Sequence, residues 1–234
     1  MSSYIVTGFY TPNYEPLASA FRANLDAHAV PHHLYAVEHI GNTWLAQTLR
    51  KPEIVLRAMT DHPDATVILC DVDCLVTGHL DGIIWGDADV KLALRSNGHG
   101  YTAASRVLMV RQTNNARRLM EEWHLQCQAA NRRIVTHGRT RDKNNDELLL
   151  MDAIVMTPGV KIEMLPLGFA GAEVGSRAAR DSIIIHDSAH DKARPTVRVR
   201  KAVKRIRRRL ISAIVGKPYT EWKYGSACSR SNWK

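Results

Sequence analysis

The sequence predicts an α/β fold in which a mostly parallel sheet is flanked by helices. Through the first half of the chain, short apolar runs alternate with segments of helical periodicity, which is typical of successive β–α units. One apolar run, residues 66–76, is interrupted by two carboxylates, as expected where a buried strand ends. The final segment, 192–234, is strongly basic and differs in composition from the rest. We therefore expect one domain over residues 1–191, followed by a basic tail over residues 192–234.

The strands are predicted from apolar and β-branched runs that turn residues bound. The first run, for example, is stopped by Thr11-Pro12-Asn13. In chain order, the predicted strands are 4–10, 33–37, 66–76, 90–94, 105–110, 162–165 and 182–186.

The helices are predicted from apolar residues three or four positions apart. Lys51-Pro52 opens one of them, because proline is favoured at an early helical position. The polar and basic segment 132–145 is predicted to be a mobile loop. The expected helices are about 17–30, 51–59, 114–130 and one that begins near Asp146.

Charge is distributed unevenly along the chain. Residues 1–191 hold 18 Lys and Arg against 22 Asp and Glu, a net charge of −4, whereas residues 192–234 hold 14 against one, a net of +13. The four cysteines show no C-x-x-C spacing, which indicates reduced thiols. No apolar stretch is long enough to span a bilayer, and the first residues lack the basic start of a secretory signal. A cytoplasmic protein is expected.

The acid pair Asp71-Val72-Asp73 is the strongest chemical signal in the sequence. Alternate side chains of a strand share a face, so both carboxylates can point the same way. Two such charges repel each other unless a cation or hydrogen-bond donors compensate them. Mg²⁺ is commonly held by one or two carboxylates together with substrate phosphates. The pair predicts a metal–diphosphate site, with acids that cap the following loop as the alternative.

Several short segments, taken together, resemble small bacterial nucleotide-diphospho-sugar transferases of the GT-A glycosyltransferase fold. The resemblance covers about residues 4–191 and implies a Rossmann-like, GT-A-like architecture. The segments that carry it are 4–11, Lys51-Pro52, Asp71-Val72-Asp73, 105–113 with the helix that follows to Trp123, Asn145-Asp146-Glu147, and His186 after a late apolar strand.

The resemblance implies a sugar-nucleotide donor and a divalent metal. Asp71 and Asp73 would hold Mn²⁺ or Mg²⁺ against the two phosphates, and His186 would complete the metal site. A histidine after a strand is also an ordinary structural residue, so that alternative stays open. Asp146 and Glu147 are the expected catalytic acids, and helix capping is the alternative for both. The relatives commonly have Asp-Gln here, so Glu147 departs from the pattern.

The remaining donor contacts implied by the resemblance lie near the first strand and at the start of a helix. Thr7, Tyr10 and Thr11 would lie near the nucleobase and ribose, and Lys51 would pair with the diphosphate or with the acid pair. For Lys51 the alternative is a solvated lysine at a helix start. The loop 95–101 offers polar and aromatic groups to a sugar or an acceptor, and is equally compatible with an ordinary turn.

The basic tail predicts an amphipathic helix over about residues 197–215, because apolar residues recur there at three- and four-residue steps. Such a helix can lie on an anionic membrane, where each cation contributes about 1 kcal/mol. In one alternative, the apolar stripe of this helix packs on the catalytic domain. In the other, its cations bind an acidic partner protein. No aromatic residue lies between Phe169 and Tyr219, which argues against nucleic acid. The expected membrane-facing cations are Arg198, Arg200, Lys201, Lys204, Arg205, Arg207, Arg208 and Arg209.

The functional hypothesis is metal-dependent transfer of a sugar from a nucleoside diphosphate to an unknown acceptor, lipid-linked or part of the cell envelope. The enzyme would then act peripherally at the inner face of the cytoplasmic membrane. Two alternatives remain. One is a catalytically inactive adaptor of the same fold that acts through its tail. The other is a haloacid-dehalogenase-like phosphatase, although in that class the acid pair usually follows the first strand, and Leu75 replaces the usual Thr or Val.

Overall fold

The larger of the two sheets among the described residues has six strands. The computed structural model describes residues 3–40, 44–81, 86–96, 101–137, 145–165, 169–173 and 183–186. The strands of the central sheet are β1 (Ser3–Tyr10), β2 (His32–Ala36), β3 (Ala65–Cys70), β5 (Val90–Ser96), β6 (Tyr101–Val110) and β7 (Ile162–Met164). Their spatial order is β2-β1-β3-β6-β5-β7. The pairs β1–β2, β1–β3 and β5–β7 are parallel, whereas β6 runs antiparallel to both of its neighbours.

A smaller sheet is formed by three short strands, in the order β4-β9-β8. β4 pairs with β9 in antiparallel orientation, and β8 pairs with β9 in parallel orientation. Because β4 follows β3 after only three residues, this sheet begins beside the carboxyl end of the central strand. Its strands are β4 (Cys74–Val76), β8 (Ala170–Glu173) and β9 (Ile184–His186).

The helices cover the central sheet and bury an apolar core on each face. They are α1 (Glu15–Ala27), α2 (Trp44–Thr48), α3 (Lys51–Asp61), α4 (Asn114–His137) and α5 (Asp146–Met156). In β3, Val67 and Leu69 join a core with α3, α4 and α5. Ile68 and Cys70 join the opposite core, which includes α1 and the small sheet. Alternate residues of one strand thus supply both cores, as expected for a strand buried on both faces.

The predicted α/β class and mostly parallel sheet are confirmed, and the structure corrects several local expectations. The predicted loop 132–145 begins as helix, because α4 continues to His137 and buries Ile134 against the core. α2, β4 and β8 were not predicted as separate elements. β4 is split from β3 by a turn at the acid pair.

The chain divides into two units, Met1–Asp187 and Ser188–Lys234, and every described residue belongs to the first. The predicted tail helix and its eight cations therefore lie outside the described residues. Within the described ranges, no helix combines the length and apolar character needed to cross a bilayer.

Candidate active site

The acid pair lies in a tight turn at the carboxyl end of β3. The Cys74 amide donates to the Asp71 carbonyl at 2.9 Å, which closes the turn, and the Asp71 amide donates to the Arg106 carbonyl at 3.0 Å. Val72 is buried between the two acids. The acids therefore lie on a β-turn anchored to β6, whereas the sequence predicted a continuous strand over residues 66–76.

Gly8 of β1 allows the backbone to pack closely beside this turn. A Cβ atom at Gly8 would lie 2.5 Å from the Cys70 carbonyl oxygen, and 3.6 Å from side-chain atoms of Leu34 and Val72. Real Cβ atoms do not approach a backbone oxygen so closely. Glycine at this position therefore allows β1 to pack closely against the end of β3, directly before the acid pair.

A buried polar cluster joins the acid turn to two helices. The Lys51 ammonium lies 2.9 Å from Asp71 Oδ1 and 3.2 Å from Asp146 Oδ2. It also donates to the Ser105 hydroxyl at 3.0 Å, and that hydroxyl in turn donates to Asp146 Oδ2. The Lys51 and Asp146 side chains are each 6% exposed, whereas Asp71 is 26% exposed. Asp71 is thus the member of the cluster that solvent or a ligand can reach.

The start of α5 fixes Asp146 within this cluster. The Asn145 side chain caps the helix by accepting from the Leu148 amide at 2.9 Å, so Asp146 is the first residue of the helix proper. The fully buried Trp123 of α4 donates from Nε1 to the Asp146 carbonyl at 2.9 Å. Glu147 is also buried in this first turn. Two acids at a helix N-terminus are favoured by the helix dipole.

The electrostatics of the site follow from burial and from an excess of carboxylates. Burial opposes the charge of Lys51, but the Asp71 and Asp146 carboxylates outweigh that effect and raise the pKa of its ammonium. Burial raises the pKa of Asp71, with Lys51 acting against this change and Asp73 adding to it. The pKa of the Tyr14 phenol is raised by burial and then by Asp73 and Asp71. Tyr14 therefore lies in the negative field of both acids.

The fold shown by this geometry also occurs in solved structures. A scan of protein-family models and a search of curated proteins both gave no match. Among solved structures, the chain is similar to a glycosyltransferase involved in the glycosylation of the major capsid of PBCV-1, with a TM-score of 0.61 and 12% identity over 79% of this chain and 93% of that one. It is also similar to the glycosyltransferase GlyE of Streptococcus pneumoniae TIGR4, with a TM-score of 0.50 and 14% identity. That match covers 81% of this chain and 56% of GlyE.

The chain has a glycosyltransferase fold. At these identities the likeness concerns the architecture.

Three of the residues named from the sequence meet in this glycosyltransferase fold. Lys51, Asp71 and Asp146 form the buried cluster, and Asp73 lies on the same turn as Asp71. Lys51 is not the solvated helix-start lysine of the alternative interpretation.

The three residues named near the first strand have different environments. Thr7 lies inside β1, fully buried, and its hydroxyl donates to the His33 carbonyl at 3.0 Å. Tyr10 is the last residue of β1 and is partly buried. Thr11 follows it, and its hydroxyl donates to Asn13 Oδ1 at 2.6 Å. Tyr10 and Thr11 thus lie at the carboxyl end of β1, whereas Thr7 lies within the strand.

The expected metal ligands fit a hard divalent cation by their chemistry. Asp71 and Asp73 supply carboxylate oxygens, which Mg²⁺ and Mn²⁺ prefer. Burial and the neighbouring Asp73 carboxylate both oppose the negative charge of Asp71, and a bound cation would offset this effect. Among described side chains, no group of three or more His, Cys, Asp or Glu is arranged to hold a metal. The backbone register pairs His186, the third expected ligand, with Cys74, directly after Asp73.

Sequence reasoning missed two residues of this site. Ser105 bridges Lys51 and Asp146, and its only sequence signal is a hydroxyl residue inside the otherwise apolar stretch of β6. Tyr14 follows β1 in a short 3₁₀ turn, Pro12–Tyr14, and feels the charge of both acids. An aromatic hydroxyl near the end of the first strand was the available signal.

Proposed function

We propose that this protein is a metal-dependent glycosyltransferase, related to the bacterial nucleotide-diphospho-sugar transferases, that moves a sugar from a nucleoside diphosphate to an acceptor. The observation that carries the proposal is the acid turn beside the Lys51 cluster, at the carboxyl end of the central strand of a glycosyltransferase fold. Ligands of open α/β sheets bind at this edge.

The donor half of the site follows from charge. As the glycosidic bond breaks, the leaving nucleoside diphosphate gains negative charge that the site must stabilise. A Mn²⁺ or Mg²⁺ ion on Asp71 and Asp73, with His186 as the third ligand, would act as a Lewis acid on the diphosphate. Tyr10, the last residue of β1, and Thr11, which follows it, would contact the nucleoside, and Thr7 lies within the strand before them. Tyr14 would also face this side of the site.

The acceptor half is assigned to the start of α5. A general base must lie within hydrogen-bond reach of the acceptor hydroxyl. Asp146 already engages Lys51 and Ser105 through Oδ2, which favours an orienting role for this carboxylate. Glu147 is the second acid of the same turn, and we propose that it acts with Asp146 in placing the acceptor.

Release of nucleoside diphosphate from a panel of sugar nucleotides, with and without MnCl₂, tests the proposal. Wild type should release one nucleoside diphosphate faster with Mn²⁺ present. Asp71→Asn and Asp73→Asn should each lose about 100-fold or more in rate, as expected when a charge-stabilising group is lost. Asp152→Asn removes an exposed acid from α5 and should retain full activity.

The same assay distinguishes the alternative functions. If Asp71→Asn and Asp73→Asn release nucleoside diphosphate as fast as wild type and with the same dependence on Mn²⁺, the proposed site is wrong. An absence of release with every sugar nucleotide would favour the inactive adaptor. Hydrolysis of a generic phosphate monoester, abolished by Asp71→Asn, would favour the phosphatase.

We further propose that the basic tail holds the enzyme on an anionic membrane, at the inner face of the cytoplasmic membrane, where a lipid-linked or envelope acceptor would be found. The support is the sequence alone: between Lys192 and Arg209 there are ten basic residues and no acid. Deletion of residues 195–234 should abolish sedimentation with vesicles of 30% phosphatidylserine and should leave turnover of a soluble acceptor nearly unchanged. Undiminished sedimentation of the truncated chain would contradict the membrane role.

A further inference from the structure

The Lys51 ammonium has no hydrogen-bonding capacity left for a diphosphate. An ammonium group has three N–H donors. Here it faces three separate partners: Asp71, Asp146 and the Ser105 hydroxyl. Because the side chain is almost fully enclosed, solvent cannot replace a partner that is lost. Any new contact made by Lys51 must displace one of these three.

Asp71 is the partner that can be exchanged. Lys51 Nζ lies 2.9 Å from its Oδ1 and 3.3 Å from its Oδ2, so both oxygens of this carboxylate face the ammonium. Asp71 is also the more exposed of the two acidic partners, whereas Asp146 is enclosed and receives a second hydrogen bond from Ser105. After separation from Lys51, the Asp71 carboxylate can be partly solvated, whereas the Asp146 carboxylate would stay buried without its cation. Separating Lys51 from Asp71 therefore costs less free energy than separating it from Asp146.

We propose that Lys51 occupies the metal position on Asp71 as a built-in counter-ion, and that a divalent cation enters by displacing it toward Asp146 and Ser105. This inference rests on the proposed function, since it concerns how that same site takes up its metal. Lys51 would thus keep the site assembled without metal and lower its affinity for free metal.

The charges of the cluster are consistent with such an exchange. The Lys51 ammonium pairs with two carboxylates, those of Asp71 and Asp146, and the Asp73 carboxylate acts on Asp71 as a further negative charge. A cation can therefore join the acid turn while Lys51 stays paired with Asp146.

Mn²⁺ binding to the full chain without nucleotide tests the inference, and the electron paramagnetic resonance signal of free Mn²⁺ measures it. Lys51→Met should bind Mn²⁺ at least about tenfold more tightly than wild type, because a positive charge within about 3 Å of the ligand oxygens is lost. Lys51→Met with Asp146→Asn leaves the net charge of the cluster unchanged and avoids a buried unpaired carboxylate. This double variant should keep most of the gain in Mn²⁺ affinity. Asp146→Asn alone should weaken binding, because Lys51 then has Asp71 as its sole carboxylate partner.

Lys91→Met is the matched control, because it removes another buried lysine whose ammonium pairs with a carboxylate, that of Glu163, at 3.0 Å. It should leave Mn²⁺ affinity at the wild-type value. Equal Mn²⁺ affinities in wild type, Lys51→Met and the double variant would overturn the exchange without contradicting the metal site itself. Failure of every form, wild type included, to bind Mn²⁺ would overturn both the exchange and the metal dependence of the proposed function.

Discussion

Replacing Lys51 by Met removes the ammonium that joins four elements of the fold: α3, the turn after β3, β6 and α5. Methionine preserves most of the apolar stem and cannot donate to either carboxylate. The expected consequence is a loss of folding stability that originates at Asp146, since this carboxylate stays buried without its cation.

The magnitude follows from the burial of each partner. Removing one member of a buried ion pair typically costs about 3–5 kcal/mol, because the other charge remains uncompensated. Among the described residues, the hydrogen bond that the Asp146 side chain keeps comes from Ser105; this side chain is 6% exposed, whereas that of Asp71 is 26% exposed and can be partly solvated. We therefore expect a loss near the lower end of that range, about 3 kcal/mol. For a chain of this size, that corresponds to a melting temperature about 6–12 °C lower.

Urea denaturation followed by tryptophan fluorescence measures this loss, with wild type, Lys51→Met and the double variant Lys51→Met/Asp146→Asn compared at the same pH. The double variant should recover at least half of the lost stability, because it removes the stranded charge. Lys91→Met should cost less than Lys51→Met, since its partner Glu163 is 47% exposed. A loss under about 1 kcal/mol in Lys51→Met, the range of surface ion pairs, would contradict a buried ion pair between Lys51 and Asp146.

Three further predictions concern the surroundings of the site. Gly8→Ala should lower stability by about 1–3 kcal/mol in a urea titration, because its Cβ would meet the Cys70 carbonyl oxygen at 2.5 Å; an unchanged midpoint would contradict the close packing. Burial and the neighbouring His62 lower the pKa of His33, so stability should be complete above about pH 6.5 and fall as pH decreases below it. His33→Gln should flatten that slope between about pH 7 and about pH 5.5, and an identical slope would exclude His33 as its source. Trp123→Phe loses the donor to the first carbonyl of α5 and should cost about 1–3 kcal/mol by thermal denaturation, with a negligible loss contradicting its anchoring role.

Most of the fold was predictable because the local signals and the final packing agree. The apolar runs became strands with ends within a few residues of those expected, and Asn145-Asp146 marked the start of α5 through its cap. The basic stretch after Ala130 was misleading, because its charged residues face outward while Ile134 packs in the core. α2 and β4 are too short to show periodicity of their own.

The site was predictable only where residue chemistry is unusual for its position. An acid pair after an apolar run and a lysine beside a proline at a helix start both stand out in a sequence. Ser105 does not, because its role depends on contacts 54 residues away in Lys51 and 41 residues away in Asp146. Such contacts depend on how the strands pair and the helices pack, and the local sequence pattern does not indicate them.

The most direct test of a metal-dependent donor site is a thermal-shift screen of nucleoside diphosphates and sugar nucleotides, with and without MnCl₂, on wild type and Asp73→Asn. A ligand that binds only the native state at 100 times its Kd adds about 2.7 kcal/mol of stability. We expect one nucleotide to stabilise wild type only with Mn²⁺, and Asp73→Asn to lose this shift. Equal shifts in wild type and Asp73→Asn, or none with any nucleotide and metal, would contradict it.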